Sequence, residues 1–190
     1  MRISATVSNI QWIFDTVAEI RHQSEIPLAL MGHINPIFKY GLKEFISTCR
    51  KVGVDGLIIP DLPPEEAGKY VDLASKNGIS PILLVAPNTP DERIAEISKL
   101  AVDLIYCVAI LGITGSGKAE KNKLKSYLTR VEKNSSCPFV VGFGIKQRSE
   151  GMEINKMAHG AVIGSAIINE MKNYNNPIET VKIFIEKLTK

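Results

Sequence analysis

Two glycine-containing turns carry residues that could bind a phosphate group. Gly142 and Gly144 end one apolar run, whereas Gly164 and Ser165 end the next run and open a helical segment. Glycine lets a phosphate approach the backbone closely, and the first turn of a helix presents free N–H donors and a positive dipole. Each turn alone is more typical of a structural turn than of a site. Because they follow successive apolar runs, together they predict a phosphate-binding cup.

A third glycine-rich segment, Gly112–Lys118, matches the P-loop pattern G-x-x-x-x-G-K after an apolar run. A P-loop holds phosphates with its backbone N–H groups and its lysine, and holds magnesium with the Ser or Thr that follows. Here Ala119 follows, and no second acidic strand end offers an obvious Walker B partner. We therefore interpret this segment as a glycine-rich loop rather than an NTPase site. An NTPase site would bind ATP in the presence of magnesium, and Lys118→Ala would impair that activity.

Asp61 and His33 each follow an apolar run, at positions where barrel enzymes build their sites. Asp61 is open to three roles, namely a catalytic base, an anchor of a partner-facing loop and a turn-forming residue. Pro63 stiffens the same turn, and Glu65 and Glu66 suit the dipole of a helix that begins there. His33 is either an acid–base group or a solvated loop residue. No set of His, Cys and carboxylate residues has metal-ligand spacing, so we expect no metal site.

The elements that must position these residues alternate regularly, with short apolar runs separated by amphipathic segments. Continuous apolar runs predict strands buried on both faces, and one unit every 25 residues or so predicts parallel strands with right-handed helical crossovers. The predicted strands are Ile26–Gly32, Val54–Pro60, Ile79–Ala86, Asp103–Ile110, Pro138–Gly142 and Gly160–Gly164. The predicted helices are Ile10–His22, Ile37–Val52, Pro64–Asn77, Pro90–Ala101, Asn122–Lys133, Arg148–Ala158 and Pro177–Leu188.

This alternation fits either an open doubly wound sheet or a (β/α)8 barrel. No dinucleotide fingerprint follows the first strand, and small residues gather after the last strands, where barrels bind phosphate. Both features favour the barrel, although only six of its eight β-α units can be counted. Four apolar or aromatic residues lie within these strands or near their ends, and each could either line a pocket or pack in the core. They are Leu30, Ile58, Leu84 and Tyr106.

Composition excludes several classes of protein. The chain has 190 residues, 45% of them hydrophobic and 23% charged, which predicts one globular domain rather than a disordered or fibrous chain. A net charge of +3, with no basic run mixed with aromatics, argues against a nucleic-acid or membrane surface. Without a secretion signal we expect a cytoplasmic protein, and we expect Cys49, Cys107 and Cys137 to be reduced, buried thiols.

The motifs jointly resemble the tryptophan synthase α chain, in that family's order and at about its spacing from Val7 onward. The resemblance implies a TIM-barrel fold with about six of eight β-α units, strands 3–8, in a single partial domain over residues 1–190 that begins near the end of the second unit. The segments that carry it are Asn35–Gly41, Gly53–Pro60, Asp61–Glu66, Gly112–Gly115, Gly142–Ile145 and Gly164–Ile167.

The resemblance also implies a function. The family is a lyase of tryptophan biosynthesis that cleaves indole-3-glycerol phosphate to indole and glyceraldehyde 3-phosphate. Indole then passes through a tunnel to a β chain in an α2β2 complex. Pyridoxal phosphate is expected only on that β chain, so we expect no cofactor here.

The resemblance assigns roles to individual residues. The phosphate-binding positions match Gly115, Gly144, Gly164 and Ser165. The pocket positions match Phe143, Tyr106, Leu30, Ile58 and Leu84, of which the last three lie near the indole. Thr114 matches a mobile-loop threonine, and Asp61 and Pro63 match the loop that faces the β chain.

This sequence also departs from the family. The family's acid and base are a Glu on the second strand and an Asp in the loop that follows, and Met1 aligns after both. We therefore assign no catalytic residue, expect little cleavage, and interpret the sequence as a fragment. The alternative is a non-catalytic phosphate-binding partner or regulator of a β chain. Exposed apolar strand edges further predict a poorly soluble or self-associated chain.

Overall fold

The chain forms two compact units, each built on parallel strands joined by helices. A computed structural model describes residues 7–101, 103–108, 118–142, 144–172 and 176–189. The first unit comprises Met1–Leu84 and Lys99–Leu104, and the second comprises Val85–Ser98 and Ile105–Lys190. None of the described helices is both long and apolar enough to cross a membrane.

The first unit carries the elements up to the third strand. Its strands run in parallel, with Leu30 opposite Leu57 and Ile58 opposite Ile82. Its elements are α1 (Val7–Arg21), β1 (Ala29–Met31), α2 (Ile34–Tyr40), α3 (Leu42–Val52), β2 (Gly56–Ile58), α4 (Pro64–Lys76) and β3 (Ser80–Val85), whose last residue belongs to the second unit.

An aromatic cluster holds the helices of the first unit together. Phe14 of α1 is 1% exposed, and its ring lies 5.6 Å from that of Tyr40 and 5.3 Å from that of Phe45. Ile46 and Cys49, on the same side of α3, are fully buried. The apolar face of α1 therefore packs against α2 and α3, as its helical spacing predicts.

The helix predicted over Ile37–Val52 is in fact two helices. Gly41 has φ +96° and ψ +114°, so it separates α2 from α3, and its carbonyl accepts the N–H of Phe45 at 2.8 Å. An L side chain rarely adopts this backbone conformation, so the break depends on glycine. The prediction of one continuous helix is wrong at this residue.

Arg21, at the end of α1, fixes the segment that leads into β1. Its guanidinium donates to the carbonyl of Gly53 at 2.7 Å and to that of Ile26 at 2.6 Å. It also pairs with Asp55 at 2.5 Å, and the same carboxylate oxygen accepts the N–H of Leu28 at 2.7 Å. These hydrogen bonds connect the end of α1 to the segment before β1 and to the turn before β2.

The second unit contains the remaining three strands, also parallel. Gly142 lies opposite Val162, and Tyr106 lies opposite Val140. Its elements are α5 (Asp91–Leu100, whose last two residues belong to the first unit), β4 (Ile105–Val108), α6 (Lys118–Asn134), β5 (Phe139–Gly142), α7 (Arg148–Ile154), β6 (Gly160–Val162), α8 (Ser165–Lys172) and α9 (Pro177–Thr189).

The two faces of β4 and β5 differ in burial. Ile105 and Cys107 of β4 are fully buried, whereas the residues that alternate with them, Tyr106 and Val108, are half-buried. β5 repeats this pattern. The prediction that these strands are buried on both faces is therefore correct for one face only. The half-buried face is the one available to a ligand.

The three cysteines form no disulfide bond with one another and are buried, as the sequence predicts. Burial raises the pKa of Cys49 and of Cys107 to about 12, so neither forms a thiolate near neutral pH. We expect the folded chain to react with a thiol-specific disulfide reagent at pH 8 far more slowly than the guanidinium-unfolded chain, in which all three thiols react. Fast reaction of the folded chain would contradict this burial.

Candidate functional site

The ends of β5 and β6 lie side by side and bring the two predicted glycine turns together. Because Gly142 pairs with Val162, Gly144 and Gly164 each lie two residues beyond this last paired position. Gly144 has φ +63°, which favours glycine, and no atom lies within 4 Å of the place where a Cβ would be. The same open space surrounds Gly164.

Gly164 also precedes the first turn of α8. Its carbonyl accepts the N–H of Ile168 at 3.2 Å, so the helix starts here, and both Gly164 and Ser165 are exposed. The first turn of α8 contains no acidic residue. The helix dipole and the amide N–H groups of this turn therefore favour an anion beside the two glycines.

Tyr106 extends along the half-buried face toward the same strand ends. A Cβ added to Gly142 would collide with the Tyr106 hydroxyl and lie 3.1 Å from Cζ. Burial raises the pKa of Tyr106, so the phenol stays protonated at neutral pH and can donate a hydrogen bond. Gly142 thus makes room for a phenol next to the open space by Gly144.

We expect Gly142→Ala to displace the Tyr106 ring and to destabilise the chain by about 1–3 kcal/mol, the usual cost of overpacking. The measurement is the free energy of unfolding in urea. Adding Tyr106→Phe removes the colliding hydroxyl and should restore part of that loss, because the two positions are in contact. An equal loss in the single and double variants would contradict this packing.

A separate apolar pocket of about 250 Å³ lies in the first unit, between α1 and the strands β1 and β2. Leu30 and Ile58, both predicted pocket residues, line it, whereas Leu84 does not. Its lining is Ile10, Ile13, Phe14, Leu30, Met31, Gly32, His33, Pro36, Ile37, Phe45, Leu57, Ile58 and Ile59.

The strand register divides the three predicted indole-side residues between two faces of the sheet. Leu30 pairs with Leu57, whereas Ile58 pairs with Met31 and with Ile82. Since neighbouring residues of a strand point to opposite faces, Ile58 and Leu84 share a face that Leu30 does not. Met31, which sequence reasoning missed, lies on the face of Ile58. No signal in the sequence identifies it, because only the register with β2 shows which face Met31 shares.

Asp61 and His33, considered separately in the sequence, form a pair. Nδ1 of His33 lies 3.2 Å from one carboxylate oxygen of Asp61, and the other oxygen accepts the N–H of Ile34 at 2.9 Å. Ile34 is the first residue of α2, so Asp61 satisfies a free donor at that helix N-terminus. The side chain of His33 is 77% exposed.

Pro63 immediately precedes α4, where it fixes the entry to that helix.

Several predicted positions lie outside the described residues. Thr114, Gly115 and Phe143 are among them, as is the glycine-rich loop before Lys118. Within the described ranges, no group of three or more His, Cys, Asp and Glu residues is arranged to hold a metal ion.

The comparison with known proteins agrees with this fold. The family model described as "Tryptophan synthase alpha chain" matches residues 3–190. The chain belongs to the tryptophan synthase α-chain family. The α chain of Petrotoga mobilis is 44% identical over 156 residues, which are 82% of this chain and 60% of the relative. The α chain of Geotalea daltonii is 35% identical over 92% of this chain and 66% of its own length.

Solved structures give the same result for the fold. A tryptophan synthase complex from Pyrococcus furiosus matches with a TM-score of 0.86 and 30% identity, over 94% of this chain and 72% of the matched chain. The Legionella pneumophila α subunit matches with a TM-score of 0.84 and 30% identity, over 94% of this chain and 68% of its own. The predicted α/β fold of the TIM-barrel family, with part of the barrel's β-α units, is confirmed. The chain spans only about 60 to 66% of the curated relatives named above.

Proposed function

We propose that this chain is the phosphate-holding part of a lyase that cleaves indole-3-glycerol phosphate in tryptophan biosynthesis. The observation that carries the proposal is the open space beside Gly144 and beside Gly164, which follow neighbouring strand ends, with the N-terminus of α8 directly after Gly164. A phosphate placed there receives backbone N–H bonds and the positive end of the helix dipole. Ser165 adds a hydroxyl donor, and by family resemblance Gly115 also binds the phosphate, while Thr114 belongs to a mobile loop that closes over the site.

The organic part of the substrate then extends from this cup along the half-buried face of β4 and β5. Tyr106 lies on the face that leads to the cup, and its protonated phenol suits a hydroxyl of the glycerol chain. By family resemblance, Phe143 lines the substrate pocket together with Tyr106. The chain itself supplies binding and orientation, whereas the family's Glu and Asp supply the acid and the base.

Binding of glycerol 3-phosphate tests the phosphate site without requiring turnover. We expect Gly164→Ala to weaken binding at least tenfold, about 1.4 kcal/mol, because the added methyl group occupies the space of the phosphate. The free energy of unfolding should not change, since Gly164 lies outside the left-handed region and its Cβ would contact nothing.

Gly68→Ala is the matched control, because a Cβ there also meets nothing and the residue lies on α4 of the other unit. Calorimetric titration of both variants with glycerol 3-phosphate shows whether the loss of affinity is specific to Gly164. Equal affinity of the two variants, or no binding by the parent chain, would contradict a phosphate site at Gly164.

A second candidate function is that of a non-catalytic regulator of a tryptophan synthase β chain. The ordered loop at Asp61 favours it, because this carboxylate fixes both His33 and the start of α2 while it remains partly exposed. The Pyrococcus furiosus relatives include an α2β2 complex described by its mutual activation. Stimulation of a β chain without indole release from indole-3-glycerol phosphate would favour this function, and release of indole would exclude it.

We also propose that the protein works in the cytoplasm. Its three cysteines are buried and form no disulfide bond with one another, which suits a reducing compartment.

A further inference from the structure

Asn77 and Gly78 form the only Asn-Gly sequence in the chain, and they lie where α4 ends. Asn77 is the C-cap of α4, and Gly78 follows it with φ +68°. Glycine in this left-handed conformation commonly ends a helix, whereas an L side chain there is strained. The end of α4 therefore favours glycine directly after Asn77.

An asparagine followed by glycine can lose its side-chain amide without an enzyme. The backbone nitrogen of Gly78 attacks Cγ of Asn77, so that a bond forms between these two atoms and the bond from Cγ to Nδ2 breaks. The proton of the attacking nitrogen leaves with the amide as ammonia, and the product is a cyclic succinimide. Water then opens the ring at either carbonyl and yields aspartate or isoaspartate. Because glycine has no Cβ, it obstructs this attack less than other residues do.

Two hydrogen bonds hold the reacting groups in place. Nδ2 of Asn77, which is the leaving group, donates to the carbonyl of Leu73 at 2.8 Å. The N–H of Gly78, whose nitrogen is the attacking atom, donates to the carbonyl of Ser75 at 2.9 Å. Both acceptors belong to α4, so the reacting groups are free only when the last turn of this helix opens.

The backbone angle of Asn77 also opposes the reaction. Ring closure requires the nitrogen of Gly78 to lie on the same side as Cβ of Asn77, whereas ψ of +7° places it close to the backbone nitrogen of Asn77. A large rotation of ψ would displace Ile79, whose N–H donates to the carbonyl of Ala74 at 3.0 Å and which is 1% exposed. The closed end of the helix therefore prevents ring closure.

Opening of this turn is a local event. Gly78 is exposed and Asn77 is half-buried, and helix ends open at a lower free energy than the core unfolds. We propose that Asn77 is a deamidation site, converted by water to aspartate and isoaspartate, at a rate set by fraying of the last turn of α4.

Both products loosen the connection between α4 and β3. Aspartate has no N–H to donate to the carbonyl of Leu73, and it adds a negative charge at the negative end of the helix dipole. Isoaspartate in addition lengthens the backbone by one carbon just before β3, where the N–H of Ser80 donates to the carbonyl of Asp55 at 2.7 Å. The modification therefore favours further opening of the same turn.

The experiment incubates the folded chain in a mildly alkaline buffer and follows deamidation by peptide mapping with mass spectrometry. Asn134 is the internal control, because it ends α6 and its Nδ2 donates to the carbonyl of Arg130 at 2.9 Å, but serine follows it. We expect Asn77 to react at least fivefold faster than Asn134, and at least tenfold more slowly in the folded chain than in the guanidinium-unfolded chain. Equal rates in the folded and unfolded chains, or faster reaction at Asn134, would overturn the proposal.

Ser75→Gly and Ser126→Gly form a matched pair, since both serines are exposed on helices and only Ser75 lies in the last turn of α4. Because glycine weakens a helix, we expect Ser75→Gly to speed both the deamidation of Asn77 and the amide exchange of Gly78 about twofold. Ser126→Gly should change neither rate. Equal acceleration by the two variants would show that global unfolding controls the reaction and would overturn the proposal, as would the absence of any acceleration by Ser75→Gly.

Discussion

Indole-3-glycerol phosphate incubated with this chain alone is expected to release indole no faster than the buffer does. The retro-aldol cleavage requires an acid to protonate the indole ring carbon and a base to remove a proton from the glycerol hydroxyl or the ring nitrogen. Each such group contributes ~10²–10⁴ in rate. The resemblance assigns these two roles to a Glu and an Asp that we expect to have no counterpart among the residues of this sequence, and the raised pKa of Tyr106 keeps its phenol neutral. Binding alone leaves the chemical step slow.

Chromatographic detection of indole measures this directly, with the longer Petrotoga mobilis α chain as the active control. His33 is one group of the described residues that could replace a missing acid–base residue, because Asp61 orients its imidazole. Indole release by the parent chain that His33→Ala abolishes would contradict the expectation. It would also show that the pair at the ends of β1 and β2 performs the chemistry.

Much of the fold could be predicted because two periodicities agree along the chain. Continuous apolar runs gave the strands, and helical spacing of apolar residues gave α1 and the helices that follow each strand. The break at Gly41 was missed because the apolar face of α3 continues the pattern of α2. Only the positive φ of that glycine separates the two helices, and periodicity carries no information on φ.

The assignment of residues to faces was harder to predict, for a physical reason. When both faces of a strand are apolar, the sequence does not say which alternate residues share a face, and a shift of one residue exchanges them. Leu30 and Met31 illustrate this, because only the register with β2 places Met31 on the face of Ile58.

Contacts between residues that are far apart in the sequence also could not be predicted. His33 and Asp61 are 28 positions apart, and each was identified only as a residue at a strand end. Their pairing follows from the adjacency of β1 and β2, which brings the two strand ends together. The collision of a side chain at position 142 with Tyr106 likewise depends on the register of β4 and β5.

The largest effect on stability is expected from Phe14→Ala. The Phe14 ring is 1% exposed and contacts the rings of both Tyr40 and Phe45, so its removal leaves a cavity where α1, α2 and α3 meet. Truncating a buried Phe to Ala typically costs about 3–5 kcal/mol, a large part of the stability of a small domain. Urea denaturation followed by circular dichroism measures the loss.

Trp12→Ala is the control, because it removes a larger aromatic ring from the same helix, two residues away. The Trp12 side chain is 64% exposed, so we expect its truncation to change the free energy of unfolding by about 0.5 kcal/mol or less. Because both variants carry alanine in α1, any difference between them reflects the packing of Phe14 rather than helix propensity. A loss for Trp12→Ala as large as that for Phe14→Ala would mean that the exposed face of α1, and not the packing of Phe14 against α2 and α3, holds this helix in place.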